Sequence, residues 1–324
     1  MTTHSFPVPE PGCYAPAITF FHPDDDTLDL ASQAKYYSYL ASTGLKGLVI
    51  LGTNAETFLL TREERRSLLE CARSSVPEGF PLIAGVGGHS TAQVLEYIAD
   101  AYVAGSDFVL VLPCAYFGKQ TSPAVVKAFY DQVASVSPLP IILYNFPAVC
   151  NGLDLDSEII TEIAHKHENI VGVKLTCGSV AKIARLAATF SQSRFAVYGG
   201  QSDFLLGGLA VGSSGCIAAF GNAFPRAIAR LYELWRTGRQ GEAFQLQQAL
   251  ALAESPTKAG IANTKYAAAV MTAHRVGITD AASRLRPRRP YIEPSSDAKQ
   301  QIEHVMARYR HLEDQDSPCR LSRL

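Results

Sequence analysis

Lys174 sits near the C-terminal end of the run Asn169-Ile170-Val171-Gly172-Val173-Lys174-Leu175-Thr176-Cys177, whose Ile170, Val171 and Val173 are β-branched. Short apolar runs of this kind are central strands of parallel sheets, covered on both faces. An ammonium group that has left water at such a strand end is driven towards the neutral amine, which attacks a ketone to give a Schiff base. The plainer alternative is a lysine that snorkels to the rim or pairs with a carboxylate. Tyr144, in Tyr144-Asn145-Phe146-Pro147, sits at another strand end, where a phenol relays protons or simply keeps its hydroxyl in water. In Leu51-Gly52-Thr53-Asn54-Ala55-Glu56-Thr57, Gly52 permits a tight turn. Thr53 and Asn54 add a hydroxyl, an amide and backbone N–H groups suited to a carboxylate. Read alone, the stretch is also an ordinary polar turn. Gly199-Gly200-Gln201-Ser202 is a glycine-rich polar turn, and Gly215-Cys216-Ile217-Ala218-Ala219 is small and apolar, leaving room for a ligand. No H-E-x-x-H or comparable ligand set occurs, and His165 and His167 read as a solvated helix end rather than a metal site.

These residues need a frame that gathers strand ends. Strand-like runs at 14–21, 47–51, 81–85, 107–112, 140–144, 170–175, 195–198 and 215–219 alternate with helix-like runs at 29–43, 61–75, 91–104, 123–135, 156–166, 180–190, 203–211 and 225–237. Thr61 and Glu64 form a capping box at the second helix. Eight such units predict an α/β fold, a (β/α)8 TIM barrel with a C-terminal helical extension. A doubly wound sheet would carry G-x-G-x-x-G after strand one, which is absent. Helices are expected at 241–254, 264–276 and 298–312. The division is a tail over 1–12, a catalytic barrel over 13–238, a helical segment over 239–312 and a tail over 313–324. The basic, proline-rich stretch 285–290 reads as an extended surface connector. Barrel active sites lie at the C-terminal ends of strands, which sets Thr53, Asn54, Tyr144 and Lys174 at one rim.

Composition narrows the class. The 324 residues carry a formal net charge of −1 and are 47% hydrophobic, a globular balance with no electrostatic footprint for nucleic acid or an anionic membrane. No apolar run reaches the ~18 residues of a membrane span. Residues 1–11 lack the basic and apolar regions of a signal peptide. Seven cysteines, Cys13, Cys71, Cys114, Cys150, Cys177, Cys216 and Cys319, form no C-x-x-C pair. A reducing, cytoplasmic setting is the simplest expectation.

In combination the motifs are far more specific. Gly52 to Glu64, Tyr144 to Pro147 and Gly172 to Lys174 occur in that order, each at the end of its strand. The chain thereby resembles the dihydrodipicolinate synthase / N-acetylneuraminate lyase family of class I, pyruvate-dependent aldolases, over about residues 12–290. The resemblance implies that Lys174 forms a Schiff base with a 2-oxo acid and that Tyr144 relays protons. It also implies that Thr53 and Asn54 bind the carboxylate and that the backbone at Ile217 lies beside the bound acid. Dihydrodipicolinate-forming members usually carry an arginine shortly after the Tyr-Asn-x-Pro motif. Here Pro147-Ala148-Val149-Cys150-Asn151-Gly152 has none, the tyrosine expected after Pro113 is displaced to Tyr116, and Ala55 replaces a glycine. These departures look more like 4-hydroxy-2-oxoglutarate aldolases and fungal 2-keto-3-deoxy-sugar-acid aldolases.

The reading is a lyase that cleaves a 4-hydroxy-2-oxo acid, taken as a 2-keto-3-deoxy sugar acid, to pyruvate and an aldehyde. Thr176, Gly200, Gln201, Ser202, Asn151 and His89 are the groups expected around the tail of the substrate. No metal or organic cofactor is expected, because the imine itself withdraws electrons. The C-terminal helices suit self-association as a dimer or tetramer, or docking of another partner. Dihydrodipicolinate synthase is the rival enzyme, and a silent 2-oxo-acid-binding barrel the rival of another class. Retention of both Lys174 and Tyr144 argues against the latter.

Overall fold

In the computed structural model, which describes residues 6–314, eight short strands close into a parallel barrel in chain order. The first half runs β1 (Gly12–Pro16), α1 (Leu30–Ala41), β2 (Gly47–Ile50), α2 (Arg62–Ser75), β3 (Leu82–Gly85), α3 (Thr91–Val103), β4 (Phe108–Val111) and α4 (Pro123–Val136). The second runs β5 (Ile141–Asn145), α5 (Ser157–Lys166), β6 (Ile170–Leu175), α6 (Val180–Thr189), β7 (Ala196–Gly199), α7 (Leu205–Ala210), β8 (Gly215–Ile217) and α8 (Pro225–Arg236). Four further helices follow: α9 (Gln240–Glu254), α10 (Ile261–Met271), α11 (Ala281–Arg284) and α12 (Ser296–Asp314). The expected tail segments at 1–5 and 315–324, with Cys319, lie outside the described residues.

Local chemistry accounts for the alternation. Asp29, Thr61, Ser90, Ser122, Asp156 and Ser179 each accept a hydrogen bond from a backbone N–H in the first turn of the helix they precede. Such N-caps satisfy donors that the helix cannot. At Thr61 the reciprocal bond from the Thr61 N–H to Glu64 completes the box. Every strand residue is buried, as expected of parallel strands covered by helices. Inside the barrel, Tyr14, Val49, Ile83, Leu110, Ile142, Tyr144, Val171, Tyr198 and Ile217 pack as one cluster. The segment just before β1 closes the far end. Its Pro9 and Glu10 carbonyls accept from the buried hydroxyl of Tyr198, and Glu10 also from Tyr14.

One expectation changes. Strand one was expected over 14–21, but its ladder spans Gly12–Pro16. Beyond it the backbone is satisfied by side chains and a distant loop: Ile18 N–H donates to Asn222, Phe20 N–H to Gln33 and Phe21 N–H to the Arg284 carbonyl. The connector at 285–290 is tied to the barrel by side-chain contacts. Arg288 makes a fork of 2.6 and 2.7 Å bonds to Glu64, and Arg286 reaches the Pro23 carbonyl at 2.6 Å.

Candidate active site

Adjacent strands β5 and β6 pair Tyr144 with Lys174 in register, so neighbouring backbones place the two side chains together. Lys174 is 2% exposed, and its Nζ donates to the Tyr144 hydroxyl at 3.2 Å. It also lies 4.2 Å from the centroid of that ring. The same hydroxyl lies 3.2 Å from Thr53 Oγ1. Three residues from three strand ends thus form one chain, Lys174–Tyr144–Thr53. Among the described residues no carboxylate lies within ion-pairing distance of Lys174.

Thr53 begins a 3-10 turn, Thr53–Ala55, that has no side-chain cap. Its leading N–H groups are therefore not taken by a capping side chain, and Thr53 and Asn54 both line the cavity described below. The turn is made differently from expectation. Gly52 has φ −70°, open to any residue, whereas Leu51 takes φ +63° and Glu56 φ +58°. The kink at Leu51 presses its carbonyl onto Gly85, where an added Cβ would sit 2.0 Å from the oxygen. Left-handed backbone at non-glycine residues is held only where the surroundings impose it. The anchor is Glu56, buried against the fully buried Lys265 of α10. Its second oxygen accepts from the Arg288 N–H at 2.7 Å. Burial lowers the pKa of Lys265, and the Glu56 carboxylate pulls in the opposite direction.

Above these groups lies a cavity of about 270 Å³. Thr53, Asn54, Tyr144, Lys174, Thr176, Gly200 and Gln201 line it, so the site residues named from sequence converge there. Thr176 Oγ1 is buried without a hydrogen-bond partner among the described residues. Gly200 gives it room, since a Cβ there would lie 2.1 Å from that oxygen. Ile217 is the exception among the site residues: its side chain is fully buried inside the barrel and Ala219 lines the cavity instead. Asn151 donates to the Ala115 carbonyl at 2.7 Å, and His89 stacks on Phe58 at 5.4 Å, so neither reaches the cavity. Tyr116 is 69% exposed and also lies outside it. His167 pairs with Asp131 at 2.8 Å at the end of α5.

The far wall was missed. It comes from the C-terminal helices: Glu254 ends α9, Thr257 and Lys258 follow in a 3-10 turn, and Gly260, Ile261 and Thr264 begin α10. Lys258 Nζ lies 2.7 Å from Glu254 Oε1 and 2.9 Å from Asp203 Oδ2. Ser202 donates to the other oxygen of Glu254. Burial raises the pKa of Glu254, opposed by Lys258 and Ser202. Gln247 of α9 binds the Ser202 carbonyl and the Leu206 N–H, each at 2.9 Å, fastening this wall to the loop after β7. The set of groups expected around the substrate tail is thus corrected: the wall also holds a cation, Lys258, supplied from outside the eight barrel units.

Comparison with known proteins bears on both family and chemistry. Residues 11–308 match the dihydrodipicolinate synthetase family. A Coccidioides immitis protein, provisionally named a mitochondrial 4-hydroxy-2-oxoglutarate aldolase, is 61% identical over 306 residues, covering 94% of this chain and 98% of its own. An L-threo-3-deoxy-hexylosonate aldolase of Hypocrea jecorina is 37% identical over 268 residues, covering 79% and 85%. The crystal structure of a dihydrodipicolinate synthase family protein, provisionally so described, from Coccidioides immitis superposes with a TM-score of 0.89 at 58% identity, covering 94% and 97%. The first relative overturns the cytoplasmic expectation, since its name places it in the mitochondrion. Cys13, Cys71, Cys114, Cys150, Cys177 and Cys216 are free.

Proposed function

We propose a division of roles within this chain, which belongs to the dihydrodipicolinate synthetase family and is a class I, pyruvate-dependent aldolase that cleaves a 4-hydroxy-2-oxo acid. Lys174 attacks the C2 ketone of the substrate, and loss of water leaves a protonated imine. The C4 hydroxyl then gives up its proton and the C3–C4 electron pair moves into the imine, releasing an aldehyde and leaving an enamine. Protonation at C3 and hydrolysis return pyruvate and the free amine. Tyr144 carries the protons, because its hydroxyl contacts both the nucleophile and Thr53 at 3.2 Å. Thr53 and Asn54 hold the C1 carboxylate and fix the ketone against the amine, which supplies orientation. Thr176, with Gly200 behind it, meets the C4 hydroxyl, and the backbone at Ile217 borders the bound acid.

The observation that carries this reading is the buried Lys174–Tyr144–Thr53 chain opening on the cavity. We take the natural substrate to be a 2-keto-3-deoxy sugar acid, in line with the Hypocrea jecorina relative. The test is borohydride reduction with pyruvate, expected to add a stable mass to the peptide containing Lys174. An adduct on another lysine, or none, refutes the mechanism and leaves a silent binding barrel. We place the protein in the mitochondrion on the name of its relative, to be checked by fractionation of cells expressing the full chain. Self-association is the further expectation. Phe58, His89, Tyr116 and Phe117 form one contiguous cluster of rings with Phe58, Tyr116 and Phe117 exposed, a face suited to a second copy. Light scattering should give a dimer or tetramer mass, and a monomer mass would refute it.

A further inference from the structure

We infer that the Asp203–Lys258–Glu254 cluster, where the C-terminal segment meets the loop after β7, selects substrates with a neutral, hydroxylated tail over those ending in a second carboxylate. The inference deepens the aldolase reading above and rests on it. An ammonium has three donors. On Lys258 one is donated to Glu254 Oε1 at 2.7 Å, and the ammonium also forms an ion pair with Asp203 Oδ2 at 2.9 Å. Lys258 nonetheless lines the cavity, and its side chain is 33% exposed. A further N–H is available to a ligand oxygen.

The charge at this wall is already consumed. One cation faces two carboxyl groups, so even a neutral Glu254 leaves the cluster without positive surplus. A sugar-acid hydroxyl accepts a hydrogen bond from Lys258 at no electrostatic penalty. A second carboxylate, by contrast, meets an ion pair in place of the unopposed guanidinium fork that binds carboxylates well. The other cavity-lining polar groups near it, Gln201 and Thr176, are neutral. Lys174 cannot help, because its charge is spent on the imine beside the C1 carboxylate. Specificity thus arises from what is already paired, a form of rejection by unmatched charge.

The experiment compares kcat/KM for pyruvate release from a six-carbon 2-keto-3-deoxy sugar acid and from 4-hydroxy-2-oxoglutarate, read as a ratio so that general losses cancel. The full-length protein should favour the sugar acid at least tenfold. Asp203→Asn removes one negative charge and should move the ratio at least tenfold towards the dicarboxylate. Lys258→Met removes the cation and should move it in the opposite direction, so it carries the test alone if Asp203→Asn does not fold. A wild-type protein that prefers the dicarboxylate, or a ratio that neither variant moves, overturns the inference, since a merely structural role would depress both substrates alike. Trapping of pyruvate on Lys174 in the same preparation separates the readings. Without an adduct the aldolase reading fails and this one with it; an adduct with an unmoved ratio overturns only the selection.

Discussion

Lys265→Met should be among the most damaging single substitutions away from the reacting atoms. The Lys265 side chain is fully buried and that of Glu56 is 3% exposed, so water does not screen their attraction. Removing the lysine leaves a buried carboxylate with only the Arg288 N–H, at 2.7 Å. Breaking a buried pair from one side costs about 3–5 kcal/mol. At about 2.1 cal/mol/K of unfolding entropy per residue, 324 residues give roughly 1.5 °C per kcal/mol, so the melting temperature should fall by about 4–7 °C. Glu56→Gln alone should also destabilise, because it strands an ammonium that retains the Arg286 carbonyl at 2.9 Å. The double substitution leaves no buried charge, and an amide still accepts from Arg288. It should therefore recover about 2–3 kcal/mol of the summed losses. Thermal unfolding of the two singles and the double closes the cycle. The Michaelis constant should rise in the singles, since Glu56 anchors the turn carrying Thr53 and Asn54. Singles within about 1 kcal/mol of the parent, or a double equal to their sum, would refute the anchoring argument.

Three further outcomes are expected. Gly200→Ala places a Cβ 2.1 Å from Thr176 Oγ1 and 2.5 Å from its Cα, so kcat/KM should fall by at least about tenfold with Thr176 displaced, measurable by pyruvate release. Tyr144→Phe keeps the ring but loses the hydroxyl shared by Lys174 and Thr53, so kcat should fall about 10²- to 10⁴-fold. Stopped-flow detection of imine formation would locate the loss. Burial pushes the Glu313 carboxyl up to about 7, although it accepts from the Ala227 and Arg226 N–H groups at the start of α8. Because the folded pKa is raised, this group's stabilising contribution is full below about pH 4.5 and is lost as pH rises through 7. It amounts to roughly 3 kcal/mol. Urea midpoints between pH 5 and 8 should show this slope in the parent and lose it in Glu313→Gln.

Much of the site was legible because strand ends are legible. Lys174, Tyr144 and Thr53 each follow a short apolar run, and the barrel rule gathers such ends on one rim. Register then did what periodicity alone could not, pairing Tyr144 with Lys174. Glu254 and Lys258 were invisible for the converse reason. They belong to helices whose local pattern shows amphipathicity but not where the helix docks. Lys265 did leave a signal: a lone lysine beside Tyr266-Ala267-Ala268-Ala269-Val270 stands on an apolar helix and demands a buried partner. At the turn after β2, glycine content pointed to Gly52, whereas tertiary crowding at Gly85 put the strained backbone on Leu51.

Closure of the barrel also sets a clock. β1 is flanked by β2 on one side and β8 on the other, with Gly12 opposite Gly215 and Tyr14 opposite Ile217. Roughly 200 residues separate those partners. At about 5–20 residues per second, a ribosome needs on the order of 10–40 s to deliver the last strand after the first. Throughout that interval one edge of the nascent sheet offers unpaired N–H and C=O groups to any neighbouring chain. The first strand is thus left exposed longest, and expression yield should rise when a holdase chaperone is co-expressed.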